Sequence, residues 1–197
     1  VKGTEIDLGD SMKPSAERVL QAGLDILLAV NYGQYDNLEA MRLEKLGVPI
    51  IFINEWQEHS PLARAEWIRV IGALVGKLPQ ADSIFHEVEK KYLSLSAQRS
   101  VSEPVSIMSG NNFRGTWYVP SGKNYLAYLF KDAGAAYPFY NDERETSIPL
   151  TIEETIHYFH DADVWVGAGG NTLAELAEID EKHTWFKAYQ NGRVYNW

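Results

Sequence analysis

The chain contains no cysteine. Disulfides, thiolate metal sites and a cysteine nucleophile are therefore excluded, and the redox compartment stays open. No apolar run approaches the ~20 residues that a membrane-spanning helix needs. Positive charge is scarce: 18 Lys and Arg stand against 27 Asp and Glu, a net charge of −9. A field of that sign repels phosphate backbones and no basic cluster interrupts it, which argues against nucleic acid as a partner. No charged segment followed by an apolar one opens the sequence, so any export signal or lipid-anchoring Cys is expected to have been removed or never included.

Catalytic signatures are missing as well. There is no G-x-S-x-G elbow to carry a serine nucleophile. The stretch "VPSGKN" ends like a phosphate loop, but Gly115 lies too far upstream and Asn124 stands where a magnesium-holding Ser or Thr belongs. "GAGG" (167–170) follows an apolar run yet lacks the glycine spacing of a dinucleotide fingerprint, and reads as a turn. His157 and His160 are spaced three apart on a helical stretch, but two imidazoles need further ligands, and they read as surface residues. Glu153 and Glu154 fit a helix N-terminus, where negative charge is favoured. Ser60 reads as the cap before Pro61 and not as a nucleophile, because nothing orients His59.

What is present is the composition of a folded α/β protein. Hydrophobic residues make up 45% and charged residues 23%, a balance that excludes disorder. Residues 1–24 read as a short extended stretch and then a helix capped by Ser15. "DILLAV" (25–30) and "VPIIFIN" (48–54) are continuous apolar runs, as in strands buried on both faces. Between them "YDNLEAMRLEKLG" (35–47) is helical, with Leu38, Met41, Leu43 and Leu46 inward and Gly47 at its end. Strand, helix and strand form a βαβ unit, which closes right-handed into a parallel sheet. From Pro61 to about Gln98 the pattern is helical, with Leu62, Ala65, Ile68, Ile71 and Val75 on one stripe. After a break at 76–79, Ile84, Val88, Tyr92 and Leu95 line another.

A second α/β set follows: a strand at 105–110, a helix at 124–135, a helix at 149–162 with a Thr151–Glu154 capping box, and a strand at 163–169. A short helix at 172–179, a mixed segment at 183–189 and a terminal strand at 192–197 complete it. The fold class is α/β, with two Rossmann-like lobes joined by a long helix and the first lobe incomplete. The division is 1–60 for a partial N-terminal lobe, 61–99 for connecting helices and 100–197 for a C-terminal lobe. The first lobe offers only about two strands, too few for an open sheet of usual size. Trp197 falls inside a strand pattern, and the sequence reads as cut at both ends.

With catalytic motifs gone, the aromatics carry the functional reading. Six Trp and eleven Tyr are many for 197 residues, and such side chains combine apolar area with a polar handle. Tyr32, Tyr35, Trp56, Trp117 and Tyr118 fall at the ends of expected strands or in the loops after them, the edge where open α/β sheets bind ligands. Arg114 beside Trp117 suits pairing with an anionic group on a large ligand, or stacking on it. The bland alternative packs Trp117 and Tyr118 between sheet and helix.

The segments "SMKPSAERVLQAGLDILLAV", "LEKLGVPIIFIN", "PLARAEWIRVIGALVGK", "GTWYVPSGKNYLAYLFKDAGAAY", "IPLTIEETIHYFHDADVWV" and "FKAYQNGRVYNW", in this order, resemble class III periplasmic binding proteins. These are the iron–siderophore, haem and cobalamin receptors of ABC importers; the "PLARAEW" and "GTWYVPSGKNYLAYL" stretches look most like the iron-transport branch. The resemblance implies a groove between the lobes that takes a metal chelate, no catalysis and no intrinsic cofactor. It implies export, with a lipid anchor in the full-length form, and a monomer that delivers its ligand to an ABC importer permease. By position it puts Tyr32, Gln34 and Tyr35 in the first-lobe part of the groove, and Arg114, Trp117 and Tyr118 in the second. Asp36 and Glu39 are the first-lobe acids that would dock on the permease; the second-lobe acid would lie beyond Trp197. Two rival readings are a metal-assisted hydrolase using His157, His160 and a nearby acid, and a sensor module that binds a protein through the same aromatics.

Overall fold

The computed structural model describes residues 7–10, 13–30, 38–98 and 103–196. The chain divides into two compact units, 1–57 and 58–197. The helices from Pro61 to Ala97 fall in the second unit, although the sequence set 61–99 apart as a connector.

In the first unit, β1 (Gly9–Asp10) pairs antiparallel with β2 (Lys13–Pro14). Helix α1 (Ala16–Ala22) starts where the Ser15 side chain accepts the Arg18 N–H, satisfying one of the orphan donors of a first turn. β3 (Leu27–Ala29) and β4 (Ile50–Phe52) run parallel, with Leu27 opposite Ile50, and α2 (Leu38–Lys45) lies between them in sequence. The expected βαβ unit is present. Its core is small: Val19, Leu43 and Val48, ringed by Leu8, Ala16, Leu24, Leu27 and Ile50. A narrow core covers only a narrow stripe of α2, formed by Ala40 and Leu43. Leu38, Met41 and Leu46, expected to point inward, are exposed.

The second unit opens with α3 (Pro61–Glu66), capped by Ser60, whose hydroxyl accepts the Ala63 N–H. α4 (Ile68–Leu74) follows at once, then α5 (Leu78–Ala97). At 20 residues α5 is about 30 Å long. Arg69 joins α4 to α5: its Nε donates to Asp82 at 2.7 Å and its guanidinium lies 4.3 Å from the Phe85 ring centre. α5 buries Ala81 and Phe85 and leaves Ile84, Val88 and Leu95 exposed. The Tyr92 hydroxyl, on the same helix, donates to Asp132 at 2.6 Å.

Two sheets complete this unit. β5 (Ile107–Ser109), β9 (Val164–Val166) and β10 (Val194–Tyr195) form a parallel sheet with β9 in the centre. β6 (Asn112–Phe113), β7 (Thr116–Val119) and β8 (Ile148–Leu150) form an antiparallel one with β7 in the centre. The sequence reading missed the second sheet: it placed Trp117 and Tyr118 at the end of a strand or in the loop after it, and started a helix at Pro149. α6 (Tyr125–Asp132), α7 (Ile152–Phe159), α8 (Leu173–Ile179) and α9 (Lys187–Gln190) pack with these sheets. The expected Thr151–Glu154 capping box opens α7. The core is large and aromatic, with Met108, Trp117, Phe130, Phe159, Trp165 and Phe186 buried in one cluster.

Candidate ligand-binding face

Parallel strands β5 and β9 end together at Ser109 and Val166, and the β6–β7 hairpin rises from that end. Two indoles fasten it there. The Trp117 Nε1–H donates to the Ser109 carbonyl at 3.0 Å, and the Trp165 Nε1–H donates to the Gly110 carbonyl at 2.9 Å. Gly110 has φ +85°, and a Cβ at this position would collide with the Tyr118 carbonyl oxygen. Only glycine permits that close backbone approach. On the far side, the Tyr137 hydroxyl donates to the Pro120 carbonyl at 2.5 Å. Burial, with Tyr140 and Asp142 adding to it, pushes that phenol well above its usual range and keeps it a donor.

Alternation along β7 decides which side chains a ligand can reach. Trp117 and Val119 point inward and are 1% exposed, while Tyr118 points outward and is 44% exposed. Phe113 lies opposite Thr116 and Pro149 opposite Tyr118. Phe113, Thr116, Tyr118 and Pro149 therefore share the outer face, with Phe113 58% exposed. Phe113 and Tyr118 are diagonal neighbours, a spacing that aromatic side chains bridge.

Trp117 is a correction to the sequence reading. It sits in a cluster with Trp165, His183 and Phe186 at ring separations of 5.4, 5.5 and 5.7 Å. Its N–H is spent on Ser109 and its faces on this cluster, so it has no surface left for a ligand. In the same cluster His183 donates from Nδ1 to the Leu176 carbonyl at 2.7 Å.

The hairpin turns on Arg114 and Gly115, at φ +53° and +88°. A two-residue loop with both central φ angles positive is a type I′ turn, which Asn-Gly fits best. Gly115 suits it, and the Asn112 side chain accepts the Gly115 N–H at 2.8 Å. Arg114 is the only non-glycine residue with positive φ among the described residues; an L side chain there costs about 1 kcal/mol. Its guanidinium lies 5.1 Å from the Phe113 ring centre, within cation–π range. Among the described residues Arg114 makes no ion pair with a carboxylate.

The remaining expected residues divide as follows. Trp56 lies in a short 3₁₀ turn, Glu55–Gln57, just after β4 in the first unit, and is 38% exposed. Glu39 is on the first turn of α2, 3.9 Å from Arg42. Tyr32, Gln34, Tyr35 and Asp36 lie outside the described residues. His157 and His160 are on or next to the end of α7, and the His160 ring contacts Asp161 at 2.8 Å. Among the described residues, no group of three His, Asp or Glu side chains is placed to hold a metal ion. Phe113 and Pro149 were missed. The signal for Phe113 was the pair Arg114-Gly115 between two residues of strand type, a two-residue hairpin loop.

A parallel α/β sheet with an aromatic hairpin exposed at its C-terminal edge has the build of a ligand-binding protein. The family model for periplasmic binding proteins matches residues 2–197, and the chain belongs to that family. An uncharacterized lipoprotein of Methanocaldococcus jannaschii is 27% identical over 98% of this chain and 47% of its own length. A second uncharacterized lipoprotein of that organism is 24% identical over 98% of this chain and 52% of its own. The chain thus spans about half the length of these curated relatives. Among solved structures it is similar to the periplasmic heme-binding protein HutB of Vibrio cholerae, with TM-score 0.73, 17% identity and coverage of 96% of this chain and 73% of that one. The triscatecholate siderophore-binding protein FeuA of Bacillus subtilis, complexed with ferri-bacillibactin, is similar at TM-score 0.66 and 14% identity, covering 94% and 65%. These are likenesses of fold. The family is one of solute-binding proteins and not of enzymes, and no described helix is long and apolar enough to cross a membrane.

Proposed function

We propose that the chain is the substrate-binding component of an ABC importer and takes an iron–siderophore or a related metal chelate, haem or cobalamin. The outer face of the hairpin is a ligand contact, with Phe113 and Tyr118 supplying apolar area and Arg114 a charge. Tyr32, Gln34, Tyr35 and Trp56 are further ligand contacts, and Asp36 or Glu39 docks on the permease. The protein works as an exported, lipid-anchored monomer. One observation supports the reading: in a member of this family, Phe113 and Tyr118 are exposed on a hairpin at the C-terminal edge of a parallel sheet, the kind of edge at which open α/β sheets bind ligands. Leaving such area exposed is costly unless a partner covers it.

The test is a titration with ferric siderophores, haem and cobalamin, followed by tryptophan fluorescence. Trp117 lies directly beneath the face, one residue from Tyr118, so a bound chelate is expected to quench the emission. No response to any of these ligands would overturn the reading.

A further inference from the structure

Asn112 and Asn196, at the C-terminal edge of the parallel sheet, are both engaged in holding that edge. Asn112 accepts the Gly115 N–H at 2.8 Å and donates to Asp180 at 3.4 Å. The Asn196 carboxamide accepts the Gly169 N–H at 3.2 Å and donates to the Gly170 carbonyl, which closes the loop after β9. Asn111 differs. It is half-buried, and its carboxamide has no hydrogen-bond partner among the described residues.

Nothing in the fold asks for asparagine there. The Tyr118 N–H donates to the Asn111 carbonyl at 3.4 Å, so the hairpin register continues past Asn112–Trp117 and sets Asn111 opposite Tyr118. Opposite residues of an antiparallel pair share a face, and asparagine is a type that strands disfavour. The side chain is nonetheless held in place. Its Nδ2 lies so near Gly169 that a Cβ on that glycine would collide with it. The carboxamide therefore offers two N–H donors and one carbonyl acceptor from a fixed position beside an exposed ring. A guest group that both donates and accepts matches it; a guest that covers it without such a group leaves it unpaired, at the cost of a hydrogen bond.

We propose that Asn111 is a specificity-determining residue, and that the preferred guest is a metal chelate with carboxamide groups on its periphery. One such group pairs with the Asn111 carboxamide while the body of the guest rests on Tyr118. This rests on the chelate-binding reading above and narrows it: haem, whose polar periphery is carboxylate alone, is the disfavoured guest.

The experiment titrates wild type, Asn111→Ala and Asn111→Leu with cyanocobalamin and an amide-linked ferric tris-hydroxamate, which both carry carboxamides, and with haem. Wild type is expected to bind at least one of the amide chelates about tenfold tighter than haem. Both variants lose about tenfold on that chelate and stay within about twofold on haem. Asn111→Leu keeps the side-chain volume, so its loss reports the hydrogen bonds and not the shape. Because the carboxamide holds no other group, both variants melt within ~2 °C of wild type. Unchanged affinity of the variants for the amide chelate, equal losses on haem, or a larger drop in melting temperature would each overturn the assignment. Haem binding at least as tight as both amide chelates would overturn it too and leave the chelate-binding reading standing. Silence from wild type toward all three removes both.

Discussion

The two ends of the parallel sheet β5–β9–β10 are built on opposite principles. At the N-terminal end a buttressed carboxylate ties polar groups together. Asp163, just before β9, accepts the Ser106 N–H at 3.1 Å, the Ser106 hydroxyl at 2.8 Å and the Lys187 ammonium at 2.8 Å. At the C-terminal end the chain does the reverse: two aromatic rings and a strained arginine stand in water. One end ties strand starts and α9 together, while the other gives up stability to present side chains. The two meet in β7, whose inward residue anchors the core and whose outward neighbour is free for recognition.

The sharpest way to break that contrast is to truncate each neighbour in turn. Trp117→Ala removes a fully buried indole, its contacts with Trp165, His183 and Phe186, and the hydrogen bond that seats the hairpin on Ser109. The expected loss is about 4 kcal/mol in a denaturant titration of unfolding, within the range for buried aromatic deletions. A loss under about 1 kcal/mol would mean that Trp117 is not the anchor, and would return it to the list of ligand contacts.

A smaller effect tests the opposite end. The Lys187 ammonium, followed by the Ser106 hydroxyl and N–H, holds the Asp163 carboxyl well below the usual carboxylate range. Its folded pKa is depressed, so its stabilisation is fully present above the unfolded value of about 3.9 and fades as pH falls through that value toward the folded one. Asp163→Asn is expected to cost about 1–2 kcal/mol at neutral pH, an amount already reduced for the carboxylate's partial exposure. Thermal melts from pH 7 to pH 3 read it directly: the gap between variant and wild type should narrow below about pH 4. A gap that is constant with pH would show that the ionised carboxylate is not what ties the strand starts.

Much of this organisation was legible in the sequence, and the parts that were share a cause. Ser15, Ser60 and the Thr151–Glu154 pair act on N–H groups three residues away, so short-range chemistry marks the helix starts. The first βαβ unit was legible because its apolar runs are continuous. What failed depended on facing. Thr116-Trp117-Tyr118-Val119 gives alternation nothing to work on, since inward Trp and outward Tyr are both large aromatics and period 2 shows only when the faces differ in polarity. For the same reason Trp117 was read as a ligand contact and Phe113 passed over. In α2 the inward stripe could not be told from the outward one, because Leu38 and Met41 are as apolar as Leu43; the small partner core decides, and it covers only Ala40 and Leu43. The closeness of Gly110 to the Tyr118 backbone is a tertiary fact with no local sign.

The smallest stability effect belongs to Tyr118→Ala, and that smallness is its value. The side chain is 44% exposed and its register partner is Pro149, so truncation leaves no cavity and should shift unfolding by less than about 0.5 kcal/mol. Its strand propensity is lost and little else. Affinity for the chelate should nonetheless fall about tenfold, because a ring that lies flat on a guest loses its whole contact area when removed. Trp117→Ala and Tyr118→Ala, one residue apart, should therefore split cleanly between denaturant titration and ligand titration. If Tyr118→Ala binds every chelate as wild type does, the outer face of the hairpin is not where the ligand rests, however well the fold matches the family.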